Sequence, residues 1–193
     1  MISLKNINLK KQNNMRNFPF EHEGQTLWYS RAVVSSGYVY CKYKGVWYIL
    51  AAKRSKHSTL SHQWNVPGGF LDHNETTKCA AQRETWEETG VLIYAYRFNL
   101  VNTNSIPKGI NQHVIFSYAC NLGKVKELPK SKKEQDEMET EDIRWIPLNE
   151  ISKYSWINDQ ENNIRKFFKL YIKPSLIQRI KNSISNRIDQ DWV

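Results

Sequence analysis

The stretch GFLDHNETTKCAAQRETWEETGV, residues 69–91, constrains the fold more strongly than any other part of the sequence. Residues 75–89 contain neither glycine nor proline, and Gly90 follows directly, as is typical of a helix that ends at a glycine. Asn74 or Thr76 is placed to cap the first turn. We therefore predict a helix over residues 75–89.

Three glutamates of this predicted helix, Glu84, Glu87 and Glu88, are spaced at i, i+3 and i+4 and share one face. Like charges at this spacing repel each other unless cations or solvent compensate. Their hard oxygen atoms suit Mg²⁺ or Mn²⁺, which bridge protein carboxylates to substrate phosphates, whereas Zn²⁺ favours Cys and His. A solvated acidic helix face is the alternative for three glutamates considered alone.

The spacing of the residues around these glutamates resembles the Nudix box, G-x5-E-x7-R-E-U-x-E-E-x-G-U, where U is a bulky aliphatic residue. The seven fixed identities are all present, as Gly69, Glu75, Arg83, Glu84, Glu87, Glu88 and Gly90. At roughly 7% per residue type, chance agreement is on the order of 10⁻⁸ per register. One departure is Thr85, where the family usually has Leu, Val or Ile. We expect its hydroxyl to face the sheet and to bond the carbonyl of Ala81.

This resemblance implies Mg²⁺-dependent hydrolysis of a diphosphate linkage in a nucleoside diphosphate derivative or nucleotide, with Mn²⁺ as a substitute metal. The metal ligands that it implies are the Gly68 carbonyl and the carboxylates of Glu84, Glu87 and Glu88. Arg83 is expected to pair with a neighbouring carboxylate such as Glu75 and to fix its orientation.

The general base has two candidates. Glu84 is one, and the other lies in the acidic segment 134–141, because several branches of the family draw a glutamate from the loop before the last core strand. Glu141 is the preferred residue of that segment, and a solvated charge run on a mobile loop is the alternative. We expect His62, His73 and His113 to be surface or structural residues rather than catalytic ones. For Trp64 and Tyr118 we expect core packing, with stacking of a base as the alternative.

Outside the box, the sequence predicts strands before and after the helix. Residues 28–52 are rich in Val, Tyr and Trp and predict two or three strands, with turns at residues 35–37 and 44–45. Further strands are predicted at 92–101, 113–120 and 143–147. Apolar residues from Ile164 to Ile172 recur on one face of a helix. This order predicts an α/β (α+β) fold, a Nudix-like α/β/α sandwich around a mixed sheet with additional C-terminal helices.

The formal net charge of +9 is concentrated at the two ends of the chain. Residues 1–20 carry +4, residues 163–193 carry +5, and the residues between them balance. A uniformly basic nucleic-acid binder is therefore excluded. The predicted units are an N-terminal arm at 1–25, a Nudix domain at 26–172 and a basic amphipathic helix at 173–193.

Composition suggests a cytoplasmic protein. No apolar run approaches the length of a membrane span, and the first twenty residues lack the apolar stretch of a signal peptide. We expect a small-molecule nucleotide as substrate and no membrane partner, with the 5′ end of RNA and a homodimer as further candidates. A non-catalytic nucleotide sensor or interaction module is the competing function.

Overall fold

The computed structural model describes residues 18–29, 32–58, 60–106, 113–131 and 140–172. The helices in these ranges are α1 (Thr77–Thr89) and α2 (Gln160–Phe167). The strands are β1 (Phe18–His22), β2 (Gln25–Tyr29), β3 (Ala32–Tyr43), β4 (Val46–Arg54), β5 (Trp64–Asn65), β6 (Gly68–Phe70), β7 (Asn99–Ser105), β8 (His113–Lys124) and β9 (Thr140–Pro147).

Seven of these strands form one mixed sheet. Its order is β5-β4-β3-β8-β7, with β6 also paired to β3 and β9 also paired to β4. The pair β3–β8 is parallel and the other pairs are antiparallel. Because β3 and β4 are antiparallel, the end of β4 and the start of β9 lie at the end of the sheet where β3 begins. We call this the Gly69 end, since Gly69 of β6 pairs there with Ser35.

Each face of the sheet carries its own buried cluster. On one face Val39, Leu50 and Phe98 pack with Ala81 of α1. On the other face Tyr38, Ile49 and further strand residues pack with α2 and the segment after it, through Ile164, Phe167 and Phe168. The predicted α/β/α sandwich with a mixed sheet is confirmed.

Gly37 explains one error of the sequence analysis, because the predicted turn at residues 35–37 lies in the middle of β3. A Cβ at Gly37 would lie 2.7 Å from Thr85 Oγ1 and 3.2 Å from the Phe98 ring. The missing side chain therefore lets α1 approach the sheet closely, which is the second common role of glycine. The neighbouring Ser35 is fully buried and donates to the Thr77 carbonyl at 2.5 Å.

The helix α1 follows its prediction closely. Thr76 is the N-cap and accepts from the backbone N–H of Cys79, and Gly90 ends the helix in the left-handed conformation at φ 67°. Thr85 is fully buried, and its hydroxyl donates to the Ala81 carbonyl at 2.6 Å, as expected.

The predicted strand at 92–101 begins only at Asn99. Val91 and Ile93 are buried while Leu92 and Tyr94 are exposed, so the alternation is real, but it belongs to a loop that packs beneath α1. The backbone N–H of Ala95 donates to the side chain of Gln82 rather than to a strand, and a 3₁₀ turn follows.

A hairpin and a helical segment are the first and last elements of the described residues. The strands β1 and β2 form an antiparallel hairpin over 18–29, which spans the predicted boundary at residue 25. The helix predicted from Ile164 to Ile172 consists of α2 followed by a π-helical turn over Phe168–Ile172. The predicted basic helix at 173–193 lies outside the described residues.

Candidate active site

The site is built where β6 runs beneath α1. A Cβ placed on Gly69 would collide with the carboxylate of Glu84. A Cβ on Gly68 would lie 2.7 Å from the Ser35 carbonyl oxygen. Both glycines are therefore required by close approach, one to a carboxylate and one to the neighbouring strand. The Glu84 carboxylate consequently lies against bare backbone.

Arg83 gathers the acidic side chains of the box around one guanidinium. Its Nη2 lies 2.8 Å from Glu75 Oε1, and its Nη1 lies 2.7 Å from Glu84 Oε1 and 2.9 Å from Glu87 Oε2. The same Nη2 donates to the Phe70 carbonyl at 3.0 Å, which ties β6 to α1. We call Glu75, Arg83, Glu84 and Glu87 the Arg83 cluster. The predicted Arg83–Glu75 pair is present.

Burial strengthens these contacts. The side chains of Glu84 and Glu75 are 12% and 15% exposed, against 36% for Glu87. The hydrogen bonds from Arg83 hold the pKa of Glu75 below its usual range, and the bonds to Glu75 and Glu84 raise the pKa of Arg83. Glu75 and Arg83 are therefore both charged at neutral pH.

The donor set fits a divalent cation of the magnesium class. Glu84, Glu87 and Glu88 supply carboxylate oxygens on one helix face, and the contact between Glu84 and Gly69 leaves a cradle that a Cβ would fill. Within the described ranges, no three Asp, Glu, His or Cys side chains converge as a ready-made metal site. Glu84 and Glu87 instead converge on Arg83.

Glu141 belongs to a separate cluster at the same end of the sheet. Its carboxylate lies 2.9 Å from Lys53 Nζ and 2.5 Å from His62 Nδ1. These two hydrogen bonds, the one from Lys53 first, lower the pKa of Glu141. We call Lys53, His62 and Glu141 the Glu141 cluster. Sequence reasoning missed both partners of Glu141, since they lie 88 and 79 residues away along the chain.

The aromatic candidates lie in the core, and the histidine candidates lie at or near the surface. Trp64 and Tyr118 are buried, at 5% and 6% exposure. The Trp64 ring packs edge-on against Tyr154, and the Tyr118 hydroxyl lies 2.6 Å from Thr77 Oγ1. The two histidines His62 and His73 are exposed, and His113, half-buried, contacts the ring of Phe70.

In the part of the chain that the structure describes, neither α1 nor α2 is long and apolar enough to cross a bilayer.

The sequence matches a known domain family over most of its length. A model of the NUDIX domain family matches residues 34–171. A curated relative described as a MutT-like protein from Streptomyces ambofaciens is 29% identical over 104 residues. The match covers 54% of this chain and 58% of the relative, so the chain spans little more than half of the relative's length.

Solved structures resemble the fold. The NUDIX domain of Shewanella oneidensis NrtR, complexed with ADP ribose, gives a TM-score of 0.60 at 17% identity over 73% of this chain and 90% of that chain. A bifunctional NMN adenylyltransferase/ADP ribose pyrophosphatase from Francisella tularensis, complexed with AMP and Mn ion, gives 0.60 at 21% identity, over 72% and 41%. A Caenorhabditis elegans Ap4A hydrolase gives 0.55 at 19% identity, over 70% and 94%.

Proposed function

The chain belongs to the NUDIX domain family, whose model covers residues 34–171, and from this premise we propose that it is a Mg²⁺-dependent pyrophosphohydrolase. Its substrate would be a nucleotide or nucleoside diphosphate derivative, cleaved at a diphosphate linkage. The observation that carries the proposal is the Glu84 carboxylate, held by Arg83 against the bare backbone of Gly69. ADP ribose and Ap4A, named for the structural relatives, are the first substrates to try.

Glu84, Glu87, Glu88 and the Gly68 carbonyl would hold the metal. A divalent cation, when bound, neutralises charge that develops on the phosphate oxygens during hydrolysis. Arg83 keeps the carboxylates of Glu75, Glu84 and Glu87 in fixed positions through four hydrogen bonds or ion pairs shorter than 3.3 Å. Carboxylates that are already positioned lose little entropy when a cation and phosphates arrive, which supports a preorganised site.

A proton of the attacking water needs an acceptor, and the chain offers Glu84 and Glu141. A general base works best when its pKa lies near the operating pH. Lys53 and His62 lower the pKa of Glu141, which weakens that carboxylate as a proton acceptor. Glu84 also accepts from Arg83, at 2.7 Å, but it is 12% exposed and lies on the box helix, whereas Glu141 is 38% exposed. We therefore take Glu84 as the acceptor, with Glu141 as the alternative that a substitution can test.

The test is hydrolysis of a nucleotide panel with and without Mg²⁺, measured as release of phosphate or nucleoside monophosphate. Wild type should hydrolyse at least one nucleotide only when Mg²⁺ or Mn²⁺ is present. Glu161→Gln is a matched control, because Glu161 pairs with Arg165 on α2, across the sheet from α1. Tight nucleotide binding with no turnover of any panel member would overturn the proposal in favour of a sensor or interaction module.

A further inference from the structure

Phe70 is an exposed aromatic residue of β6. Its backbone contacts the Arg83 cluster, and its side chain points to the opposite face of the sheet. It directly follows Gly69, and its own carbonyl accepts a hydrogen bond from Arg83 at 3.0 Å. Its ring is nevertheless 59% exposed. The backbone of Phe70 is thus fixed at the proposed diphosphate site while its side chain is open to solvent.

Strand geometry places the ring on the α2 face. Successive side chains of a strand point to opposite faces, and the Gly69 position faces Glu84 of α1. Phe70 therefore points away from α1, as does its pairing partner Val34. The buried cluster on this face contains Tyr38 and Tyr40 of β3, but neither Val34 nor Phe70 belongs to it.

His113 adds a second ring beside Phe70. It begins β8, pairs with Ala32 across the parallel β3–β8 ladder, and lies on the same face as the buried Ala119. The two ring centroids are 5.7 Å apart at an interplanar angle of 56°, so the rings form a tilted pair above the start of β3. Phe70 offers an apolar aromatic face, and the imidazole offers ring nitrogens that can bond the edge of a base.

We propose that Phe70 and His113 form a nucleobase subsite for the substrate whose diphosphate binds at the Arg83 cluster. The inference rests on the proposed function and adds to it the two side chains that hold the base of the substrate. One ribose separates the base of a nucleotide from its phosphates. The ring of Phe70 lies within one residue of the carbonyl that Arg83 binds, so a single nucleotide can reach both the ring and the Arg83 cluster. Stacking on the Phe70 ring is tolerant of base identity, since every base has a π-face.

The test compares AMP with ribose 5-phosphate, which has the same sugar and phosphate but no base. Affinities are measured by calorimetry in the presence of Mg²⁺, so the experiment needs no turnover. We expect wild type to bind AMP at least tenfold more tightly, because base–aromatic stacking contributes on this scale. Phe70→Ala should reduce this ratio about tenfold, and Phe70→Tyr, which keeps the aromatic face, should preserve it.

Tyr96→Ala is the matched control, because Tyr96 is a 78% exposed aromatic residue on the loop after α1. It should leave the AMP to ribose 5-phosphate ratio unchanged, and melting temperatures verify that every variant is folded. An unchanged ratio in Phe70→Ala, or an equal loss in Tyr96→Ala, would overturn the subsite. Absence of hydrolysis in the nucleotide panel would instead overturn the proposed function, and the two failures are therefore distinguishable.

Discussion

Two clusters of polar side chains lie at the Gly69 end of the sheet, and they differ in the number of carboxylates that share a partner. In the Arg83 cluster, one guanidinium serves the carboxylates of Glu75, Glu84 and Glu87. In the Glu141 cluster, a single carboxylate is served by Lys53 and His62. Three carboxylates thus share one guanidinium in the Arg83 cluster, whereas one carboxylate has two partners in the Glu141 cluster.

Burial separates the two clusters further. The side chains of Arg83 and Lys53 are both 26% exposed, so the cations are matched. Their partners differ in part, because Glu75 and Glu84 are 15% and 12% exposed, whereas Glu87 at 36% resembles Glu141 at 38%. Charges near water are screened and interact weakly, while partly buried ones interact more strongly. Two carboxylates of the box helix region, Glu75 and Glu84, are therefore shielded from solvent, whereas Glu141 is not.

The largest effect is expected at Glu84. We predict that Glu84→Gln lowers kcat by at least about 10²-fold, the scale expected for loss of a general base or a metal ligand. Steady-state hydrolysis of the best panel substrate measures it, with melting temperature to verify the fold. A kcat within about threefold of wild type would show that the Arg83 cluster is not the reaction centre.

Arg83→Met should lower the free energy of unfolding by about 1–3 kcal/mol, because Glu75, Glu84 and Glu87 lose the hydrogen bonds from Arg83. Lys53→Met is the matched control, since its partner Glu141 retains His62 and faces solvent. We expect it to shift the melting temperature by about 1 °C or less. Urea denaturation and thermal melts measure both, and equal losses in the two variants would contradict the difference in shielding.

Magnesium should stabilise the fold through the Arg83 cluster and the adjacent Glu88. At ten times its Kd a bound ion stabilises the native state by about 1.4 kcal/mol, which raises the melting temperature by about 3–6 °C for a chain of this size. The double substitution Glu87→Gln with Glu88→Gln should remove that rise. If the double variant responds to Mg²⁺ as wild type does, the metal binds elsewhere on the protein.

The smallest effect is expected at Glu141. We predict that Glu141→Gln keeps kcat within about threefold of wild type, because Lys53 and His62 lower the pKa of this carboxylate and weaken it as a base. A fall of kcat by about 10²-fold or more would make Glu141 the general base.

The same variant tests the pKa of Glu141 directly. A group whose pKa is lowered in the folded state stabilises the protein above its ordinary pKa of about 4.3 and ceases to do so as pH falls through the lowered value. Any difference in melting temperature between wild type and Glu141→Gln should therefore be present at neutral pH and disappear in acid. A difference that persists unchanged to the lowest pH would mean that the pair with Lys53 and His62 contributes nothing through charge.

Local patterns predicted α1 and the acidic face that it carries. The i, i+3, i+4 spacing of Glu84, Glu87 and Glu88, the Thr76 cap and the Gly90 end are all set within a few turns of helix. The Arg83–Glu75 pair spans only eight residues and was predicted as well. The strand predicted at 92–101 begins only at Asn99. The alternating burial near Ile93 arises instead from packing beneath α1, which no local pattern reveals.

What the sequence determined by itself is the box helix, its acidic face and the class of fold, because helix periodicity, capping and glycine breaks act over short separations. Only the tertiary structure decided which of the acidic residues are shielded from solvent and which partners they contact. Glu141 meets Lys53 and His62, and Gly37 meets Thr85, only after distant strands and α1 pack together. The physical reason is that pair energies and burial depend on distances in space, which the sheet register sets and the sequence spacing does not.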